Sequence, residues 1–351
     1  MMVRIRQFGA MALLLAASAA CAQPFRGEAI AIADNKKGIG FDDLRYSPSL
    51  HRVLVPAGRT GNLVLVDPST HQPSAVARLS EEEAYGGGHG EGTTSVDEGE
   101  GALYAIDRTS KEVVIIDPAA RRIVVRAPLG GSPDYVRYVA PTRELWVTEP
   151  DSERIEIFTI SPKRDALTSV ASIAVPGGPE SLVVDAAGGR AFTHLWSGTS
   201  IVIDLRTRKI TAKWPNRCNG SRGIAYDERL HFLFAGCAEG KAVVMDAAHG
   251  GAVLATASAG NGVDIIDYDP ARRHLYLPGG SSATMTIFSV GTNGALTPLA
   301  TTPTARGAHC VTTDGRCLRV RPRPRPHSRR PRFLSSSETV KRRSVRCAKH
   351  Y

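Results

Sequence analysis

The stretch RELWVTEPDSERIEIF, at residues 143–158, consists of two short apolar runs separated by a polar turn. Stretches with the same order occupy residues 101–118, 189–204, 230–246 and 273–288. Each apolar run has the length of a β-strand, and each pair of runs has the length of a β-hairpin. The chain of 351 residues is therefore predicted to consist mainly of repeated hairpins.

The spacing of these hairpins predicts the architecture. Their first strands align on one large apolar residue each, namely Leu54, Tyr104, Trp146, Phe192, Phe234 and Tyr276. The intervals are 50, 42, 46, 42 and 42 residues, and the ends of the second strands give nearly the same intervals. Periods of about 40 to 45 residues with four short strands are typical of β-propeller blades. No segment has the period of an amphipathic helix long enough for a βαβ alternative.

The starts of the innermost strands predict the number of blades. Seven starts fall near Asp42, Gly92, Asp134, Glu180, Arg222, Asp264 and His309. We therefore predict one all-β domain over residues 23–316, a seven-bladed β-propeller of four-stranded blades. The seventh blade is predicted to be incomplete or disrupted, because its second strand would fall on an Arg-Pro repeat near residue 321 and proline cannot pair repeatedly within a strand.

Two stretches resemble a known family. LWVTEPDSERIEIF, at residues 145–158, and VVIIDPAARRIVVRAPLGGSPD, at residues 113–134, resemble the YVTN-type β-propeller repeats of exported bacterial proteins. The four residues Trp-Val-Thr-Glu from Trp146 come nearest to the Tyr-Val-Thr-Asn signature, which no blade contains literally. The resemblance covers about residues 40–314 and implies a seven-bladed propeller. It does not define a function, because proteins of one fold carry many activities.

Residues 1–22 have the features of a secretory signal peptide. Arg4 and Arg6 precede an apolar run, and the small residues that follow predict cleavage after Ala22. The apolar run is too short to span a bilayer, and no other segment reaches that length. We therefore expect a periplasmic or secreted protein. A lipoprotein modified at Cys21 is the less favoured alternative, because the three preceding residues lack the usual leucine.

The formal net charge of +10 is concentrated at the C-terminus. Residues 317–351 carry +11, so residues 1–316 carry about −1. A nucleic-acid partner is therefore not expected for the folded body. The Arg/Pro-rich tail is predicted to be either a disordered arm or the product of a slipped reading frame, and we favour the second because the tail interrupts the seventh blade.

The strand register places ionisable residues around one end of the predicted central channel. Because innermost strands begin at this end, the opening is predicted to be lined by Asp42, Asp134, Glu180, Arg222, Asp264 and His309. His89 and Glu91 lie beside Gly92, the one start without a side chain, and His194 belongs to a loop predicted to open on the same face. These side chains are either a binding site or only the solvated lining of a channel.

No motif in the sequence requires a cofactor. Asp42, Asp134, Glu180 and Asp264 are candidate ligands for a hard divalent cation such as calcium, which takes oxygen ligands, or a candidate general acid and base. Arg222 is a candidate clamp for a substrate carboxylate, or it merely pairs with a neighbouring acid. Motifs for covalent haem, for a zinc protease and for a serine nucleophile elbow are absent.

Two further features bear on the fold. Cys218 precedes an innermost strand and Cys237 ends the strand that pairs with it, so the two are predicted to form a disulfide in an oxidising compartment; two buried thiols are the alternative. The glycine-rich stretch AYGGGHGEGTTS, at residues 84–95, lacks the lysine and the following helix of a phosphate-binding loop. It is predicted to be an insertion that brings His89 and Glu91 to the channel, either as a lid or as a long loop.

These features predict an exported binding or interaction protein that uses the opening of the central channel. Its partner there is an unknown small molecule or protein, and a monomer is expected. The alternative is a metal-dependent hydrolase resembling the propeller lactonases, in which Asp42, Asp134, Glu180, Asp264 and His309 are ligands or bases. The sequence does not decide whether the protein is an enzyme.

Overall fold

The computed structural model describes residues 29–32 and 38–314. Over these residues the chain forms 24 β-strands and a single turn of 3-10 helix at Pro150–Ser152. The strands make six antiparallel sheets of four strands each, which follow one another along the chain as the blades of a β-propeller. The predicted signal peptide and the basic tail lie outside the described residues.

The strands of the first three blades are β1 (Arg45–Ser47), β2 (Arg52–Pro56), β3 (Asn62–Val66) and β4 (Pro73–Arg78); β5 (Val96–Gly99), β6 (Ala102–Asp107), β7 (Glu112–Asp117) and β8 (Arg122–Pro128); and β9 (Val136–Val139), β10 (Glu144–Glu149), β11 (Arg154–Ile160) and β12 (Leu167–Ala174). The strands of the last three blades are β13 (Val183–Asp185), β14 (Arg190–Leu195), β15 (Thr199–Asp204) and β16 (Lys209–Pro215); β17 (Ser221–Asp227), β18 (Phe232–Cys237), β19 (Lys241–Asp246) and β20 (Ala252–Ser258); and β21 (Asp267–Asp269), β22 (His274–Gly279), β23 (Thr284–Val290) and β24 (Leu296–Pro303).

Each blade is a meander in which the four strands pair in chain order. The first strands lie innermost, since β1, β5, β9, β13, β17 and β21 contact one another in succession around the central channel. The fourth strands lie at the periphery, where side chains alternate between exposed and partly buried positions, as in β16 and β20. Such alternation is expected of a strand with one face in solvent.

Five of the six residues that defined the repeat are buried, and the sixth, Tyr276, is partly buried. Tyr104 of the second blade packs in one cluster with Phe158 of the third, and Phe234 of the fifth blade packs with Phe288 of the sixth. Fully burying a large apolar side chain contributes about 1.5–3 kcal/mol relative to leaving it exposed. The hydrophobic core is therefore divided into layers between sheets, and the predicted propeller period is confirmed.

Local polar chemistry closes the hairpins at the positions where aspartates recur. The carboxylate of Asp117 accepts the backbone N–H groups of Ala119 and Ala120, each at 2.9 Å, and Asp227 accepts the N–H of Arg229 at 2.9 Å. Aspartate favours turns because its side chain can accept these N–H groups. In all six blades the third and fourth strands also shift register at a bulge, which increases the twist of the blade.

The predicted seventh blade is not formed, and the structure corrects the count to six. Residues 305–314, which follow β24, contain no strand and lie beside β21. The N–H of Ile265 donates to the carbonyl of His309 at 3.0 Å, and the N–H of Thr313 donates to the carboxylate of Asp267 at 2.6 Å. The prediction of seven is wrong because His309 has the register of a strand start, but the described residues after it, 310–314, form no strand that pairs with a neighbour.

Cys218 and Cys237 form a disulfide, with their Cα atoms 5.2 Å apart. The bond joins the segment before β17 to the end of β18, where Ser221 pairs with Cys237. A disulfide is consistent with an oxidising, periplasmic or extracellular location. Within residues 29–32 and 38–314, no helix is long and apolar enough to cross a membrane.

Candidate functional site at the channel mouth

Most of the predicted site residues lie together where the innermost strands begin. The carboxylate of Asp264 experiences the charges of Asp42, His89, Arg222 and His309, and Glu180 experiences those of Asp42, Asp264 and Arg222. This end of the channel, defined by Asp42, His89, Glu180, Arg222, Asp264 and His309, is called the channel mouth. The register of the repeat explains this convergence, because each blade begins its first strand at the same height.

His89 reaches the channel mouth because the glycine-rich insertion between β4 and β5 folds back towards β1. Tyr85 anchors the insertion: its ring packs directly on Gly38, and its hydroxyl donates to the carbonyl of Gly88 at 3.0 Å. At the other end of the insertion, the N–H of Arg108 donates to the carbonyl of Gly92 at 2.7 Å. The insertion is thus attached to the body on both sides of His89.

Gly92 is the one strand start without a side chain, and the structure supplies a steric reason. Its φ is +65°, and a Cβ at this position would lie 2.0 Å from the carbonyl oxygen of Gly58. The adjacent Thr93 forms an antiparallel bridge with Gly58. A side chain at residue 92 would force the first and second blades apart, so glycine is needed for close backbone approach.

Asp42 and His89 form an ion pair at the centre of the channel mouth. Asp42 Oδ2 lies 2.9 Å from His89 Nδ1, and the aspartate side chain is 2 % exposed. Burial raises the pKa of Asp42, but its contact with His89 outweighs burial and the pKa falls below the usual value. Burial lowers the pKa of His89, and the carboxylates of Asp42 and Asp264 more than compensate, so this pKa is raised. Asp42 is therefore ionised at neutral pH.

A second ion pair lies beside an exposed aromatic ring. The guanidinium of Arg222 lies 3.4 Å from Asp264 Oδ2 and stacks over the ring of Trp196, 4.1 Å from its centroid. Trp196 is 49 % exposed, which is unusual for so large an apolar side chain. Sequence reasoning missed Trp196, because it occupies the turn after β14 rather than a strand start. The signal was available in the tryptophan itself, which is rare in a short polar turn.

Glu180 differs from the other acids of the channel mouth in its proton affinity. Burial raises the pKa of Glu180 to about 7, and repulsion from Asp264 acts in the same direction, against the opposing effects of Trp196 and Arg222. A carboxyl group with a pKa near 7 can donate or accept a proton at neutral pH. Glu180 is thus the member of the group best suited to acid–base chemistry.

Asp134 is engaged by Arg108 at the edge of the channel mouth. The guanidinium of Arg108, which follows β6, forms an ion pair with the Asp134 carboxylate, and both side chains are largely buried. The N–H of Asp134 also donates to the carbonyl of Thr148 at 2.8 Å. Because the charge of Asp134 is neutralised by Arg108, this carboxylate is less available to a cation than that of Asp42.

Three side chains bring metal-ligand atoms close together. Asp42, His89 and His309 each have such an atom within 4.8 Å of those of the other two. His309 Nδ1 donates to the carbonyl of Gly307 at 2.6 Å, while its Nε2 is buried without a hydrogen-bond partner. The four carboxylates predicted as a calcium site do not form a comparably close group in the described part of the chain.

Two predicted residues do not join this group. His194 lies within β14 instead of in the loop after it, and its ring is fully buried, with Nδ1 3.0 Å from the hydroxyl of Ser200 and Nε2 3.4 Å from the carbonyl of Phe234. Burial lowers its pKa to about 4, so it is neutral. Glu91 stays within the insertion, where its carboxylate lies against Gly86.

A buried ion pair below the channel mouth went unnoticed at the sequence level. Arg137 of β9 binds Asp43 through two contacts, at 2.6 and 2.9 Å, and its Nε donates to the carbonyl of Leu182 at 2.9 Å. Arg137, Asp43 and Tyr135 also line a cavity of about 350 Å³ that extends to residues 311–314. The ion pair therefore links blades one, three and four across the channel axis.

Comparisons with known proteins support the fold and leave the function open. No family model matches the chain, so the YVTN-type assignment stays a prediction, and no curated protein sequence matches it. The periplasmic gluconolactonase of Pseudomonas aeruginosa is 13 % identical with a TM-score of 0.63, over 77 % of this chain and 86 % of that one. At this level of sequence identity, the similarity between the two chains shows only that they share the propeller fold.

Other solved structures have the same fold and unrelated roles. Hydrazine synthase of Kuenenia stuttgartiensis is 14 % identical with a TM-score of 0.62, over 80 % of this chain and 91 % of that one. A chain of the mitotic checkpoint complex is 17 % identical with a TM-score of 0.60, over 77 % of this chain and 81 % of that one. The chain is therefore a β-propeller, and its function has to be argued from its own residues.

Proposed function

We propose that this protein binds a small molecule carrying a carboxylate or several hydroxyl groups at the channel mouth. The observation that carries the proposal is a set of buried polar atoms without hydrogen-bond partners: Nε of Arg108, Nε of Arg222 and Nε2 of His309. Buried polar groups in folded proteins nearly always have a partner. Their convergence on one opening favours a ligand that supplies the missing partners.

The chemistry of the lining supports this class of ligand. Guanidinium groups donate to carboxylate oxygens, and the pairs of Arg108 with Asp134 and of Arg222 with Asp264 hold two such groups at the channel mouth. The exposed ring of Trp196 offers a flat apolar surface beside them. Sites with a few fixed polar groups and an aromatic wall are typical of small-molecule binding.

The setting of this activity is the periplasm or the exterior of the cell. The disulfide between Cys218 and Cys237 is consistent with such a compartment, and residues 1–22 have the sequence of an export signal. We propose a monomeric exported binding protein that resembles the YVTN-type propellers.

Isothermal titration calorimetry with D-gluconate, D-glucuronate and D-glucono-1,5-lactone tests the proposal. We expect binding of at least one probe at neutral pH, weakened at least tenfold by Trp196→Ala and by Arg222→Gln. Arg126→Gln is the matched control, because this arginine pairs with Glu112 on the outer rim. Binding to none of the three probes, or binding that both mouth variants leave unchanged, contradicts the proposal.

One observation favours a second candidate function, hydrolysis of a lactone. Glu180, with its pKa raised by burial to about 7, is poised to act as a general base towards water. Proton release from D-glucono-1,5-lactone, followed in a pH-stat, would exceed the spontaneous rate, and Glu180→Gln would lower this excess about 100-fold or more. A rate equal to the spontaneous one excludes hydrolysis of this lactone and leaves binding as the function.

A further inference from the structure

We propose that Asp42, His89 and His309 hold a divalent transition-metal ion of the Zn²⁺ class at the channel mouth. This inference rests on the proposed function and deepens it, because the remaining coordination positions of the ion would take a carboxylate or hydroxyl oxygen of the bound molecule. Three protein ligands and open positions are the arrangement found in zinc sites that bind a further molecule.

The three donors come from separate parts of the chain and meet at one point. Asp42 precedes β1, His89 lies in the insertion between β4 and β5, and His309 follows β24. Their ligand atoms lie within 4.8 Å of one another. With bonds of about 2.0–2.2 Å, the ligand atoms of a tetrahedral site are about 3.4 Å apart, so the most distant pair has to approach by up to about 1.4 Å.

The insertion that carries His89 can supply this movement. A Cβ added to Gly88 or to Gly90 would meet no atom within 4 Å, so one side of the backbone is open at both positions, whereas the Gly88 carbonyl and the His89 Cα pack against Gly40. Asp42 and His309, by contrast, are attached to the body close to β1 and β21. The imidazole of His89 is therefore the ligand expected to move towards the ion.

The hydrogen bonding of His309 prepares one ring nitrogen for a metal. A carbonyl oxygen can only accept, so Nδ1, which is 2.6 Å from the carbonyl of Gly307, must carry the proton. Nε2 then has a free lone pair, and it is buried without a partner. Metal-binding histidines usually donate their second nitrogen to a carbonyl or a carboxylate in this way, which sets the tautomer.

The environment of Asp42 gives an independent indication. Its side chain is 2 % exposed, and its Oδ2 has no partner with hydrogen-bond geometry, although His89 Nδ1 lies 2.9 Å away. A buried carboxylate oxygen normally accepts a hydrogen bond or binds a cation. A metal ion bound by the carboxylate and the imidazole would satisfy both atoms once they separate from 2.9 Å to about 3.4 Å.

The neighbouring charges favour this donor set over a ring of carboxylates. Arg108 pairs with Asp134 and Arg222 pairs with Asp264, whereas the ion-pair partner of Asp42 is His89, whose Nε2 also lies 3.7 Å from Asp264. Imidazole nitrogens suit zinc, cobalt, nickel and iron, whereas calcium takes six to eight oxygen ligands. We therefore expect the ion to be of the zinc class.

Titration of the purified full chain with Zn²⁺ alone tests the site. After dialysis against a chelator, Zn²⁺ is added in competition with a chromophoric chelator, and Co²⁺ is added separately to record its visible absorption. We expect one ion per chain at the channel mouth and a Co²⁺ spectrum of low coordination number. His309→Ala, His89→Ala and Asp42→Asn should each weaken binding at least tenfold.

A surface histidine provides the matched control. His249 pairs with Asp246 at 2.8 Å on an exposed turn, so His249→Ala should leave the affinity within twofold. Circular dichroism reports whether each variant folds. If Asp42→Asn does not fold, the two histidine variants decide the question, because both side chains are partly exposed.

Three results overturn the inference: no stoichiometric Zn²⁺, Zn²⁺ binding that survives in the histidine variants, or Ca²⁺ binding tighter than Zn²⁺ that is lost in Asp134→Asn and Glu180→Gln. Calorimetry with D-gluconate separates this inference from the proposed function. Gluconate binding by a chain that takes up no Zn²⁺ rejects the metal alone. Zn²⁺ binding by a chain that binds none of the three organic probes supports the metal site and rejects the proposed function.

Discussion

Replacing Arg137 by methionine should destabilise the propeller by about 3–5 kcal/mol, because the substitution leaves a buried carboxylate without its counter-charge. Arg137 and Asp43 are 5 % and 3 % exposed, and the contact between them joins the third blade to the segment preceding the first blade. Few contacts connect blades that are not neighbours in sequence. The loss should therefore appear in the global free energy of unfolding.

The structure sets the size of this loss. At about 2.8 Å and an effective dielectric constant of about 20, two unit charges attract by roughly 6 kcal/mol, and desolvation of the arginine offsets part of this. After the substitution, Asp43 keeps the hydroxyl of Ser95 at 2.6 Å, and a hydrogen bond to a charged group contributes about 1.5–3 kcal/mol. The net cost remains within the range of about 3–5 kcal/mol.

A double-mutant cycle measures the pair directly. Urea unfolding followed by tryptophan fluorescence should show large losses for Arg137→Met and for Asp43→Leu, and a loss in the double variant at least about 2 kcal/mol smaller than their sum. Arg143→Met is the control, since its pair with Glu100 is exposed and should contribute about 1 kcal/mol or less. Additive losses within about 0.5 kcal/mol would refute the coupling.

Three further measurements test other parts of the structure. Replacing both Cys218 and Cys237 by alanine removes a disulfide with a sequence separation of 19, which should lower the unfolding free energy in urea by about 3 kcal/mol. If the double variant is still less stable than wild type when both are measured under reducing conditions, the loss comes from packing and not from the disulfide. The folded pKa of Glu180, about 7, lies above its usual value of 4.5, so ionisation of this carboxyl group opposes folding. The unfolding free energy of chelator-treated protein should therefore fall by up to about 3 kcal/mol as the pH rises from 4.5 to 7. Glu180→Gln should flatten this pH profile, whereas an unchanged slope would assign the pH dependence to other groups. Phe234→Ala should lower the unfolding free energy by about 3–5 kcal/mol in the same urea assay, because the ring is fully buried and its centroid lies 4.7 Å from that of Tyr268. Leu254→Ala, at an exposed residue, should lower it by less than about 1 kcal/mol. Equal losses in the two variants would contradict the layered core.

Much of the candidate site was predictable because a propeller repeat gives every blade the same register. Once Tyr104, Trp146 and their counterparts are aligned, the residues at the start of each innermost strand follow by counting. Asp42 and Asp264 are therefore predicted at the same opening, although 222 positions separate them in the sequence. Period and register are properties of short segments, which the sequence displays directly.

Side-chain direction and pairing were not predictable in this way. His194 has the sequence position of a mouth residue, but β14 continues through it and the alternation of the strand turns its ring into the core. Asp43, next to Asp42 in the segment before β1, does not join the channel mouth and instead meets Arg137. Moving a side chain by one position along a strand places it on the opposite face of the sheet. Sequence patterns do not locate the end of a strand with single-residue precision, so the direction of such a side chain cannot be predicted from them.

The sequence by itself determined the class of fold, the period of the blades and the presence of ionisable residues at the channel mouth, because all three depend on local pattern and composition. The tertiary structure decided the number of blades, since only pairing shows that residues 305–314 add no strand. It also decided which charges meet: Arg108 with Asp134, and Asp42 with His89. Ion pairs act over a few ångströms between segments far apart in the chain, so their partners are known only when the blades are assembled.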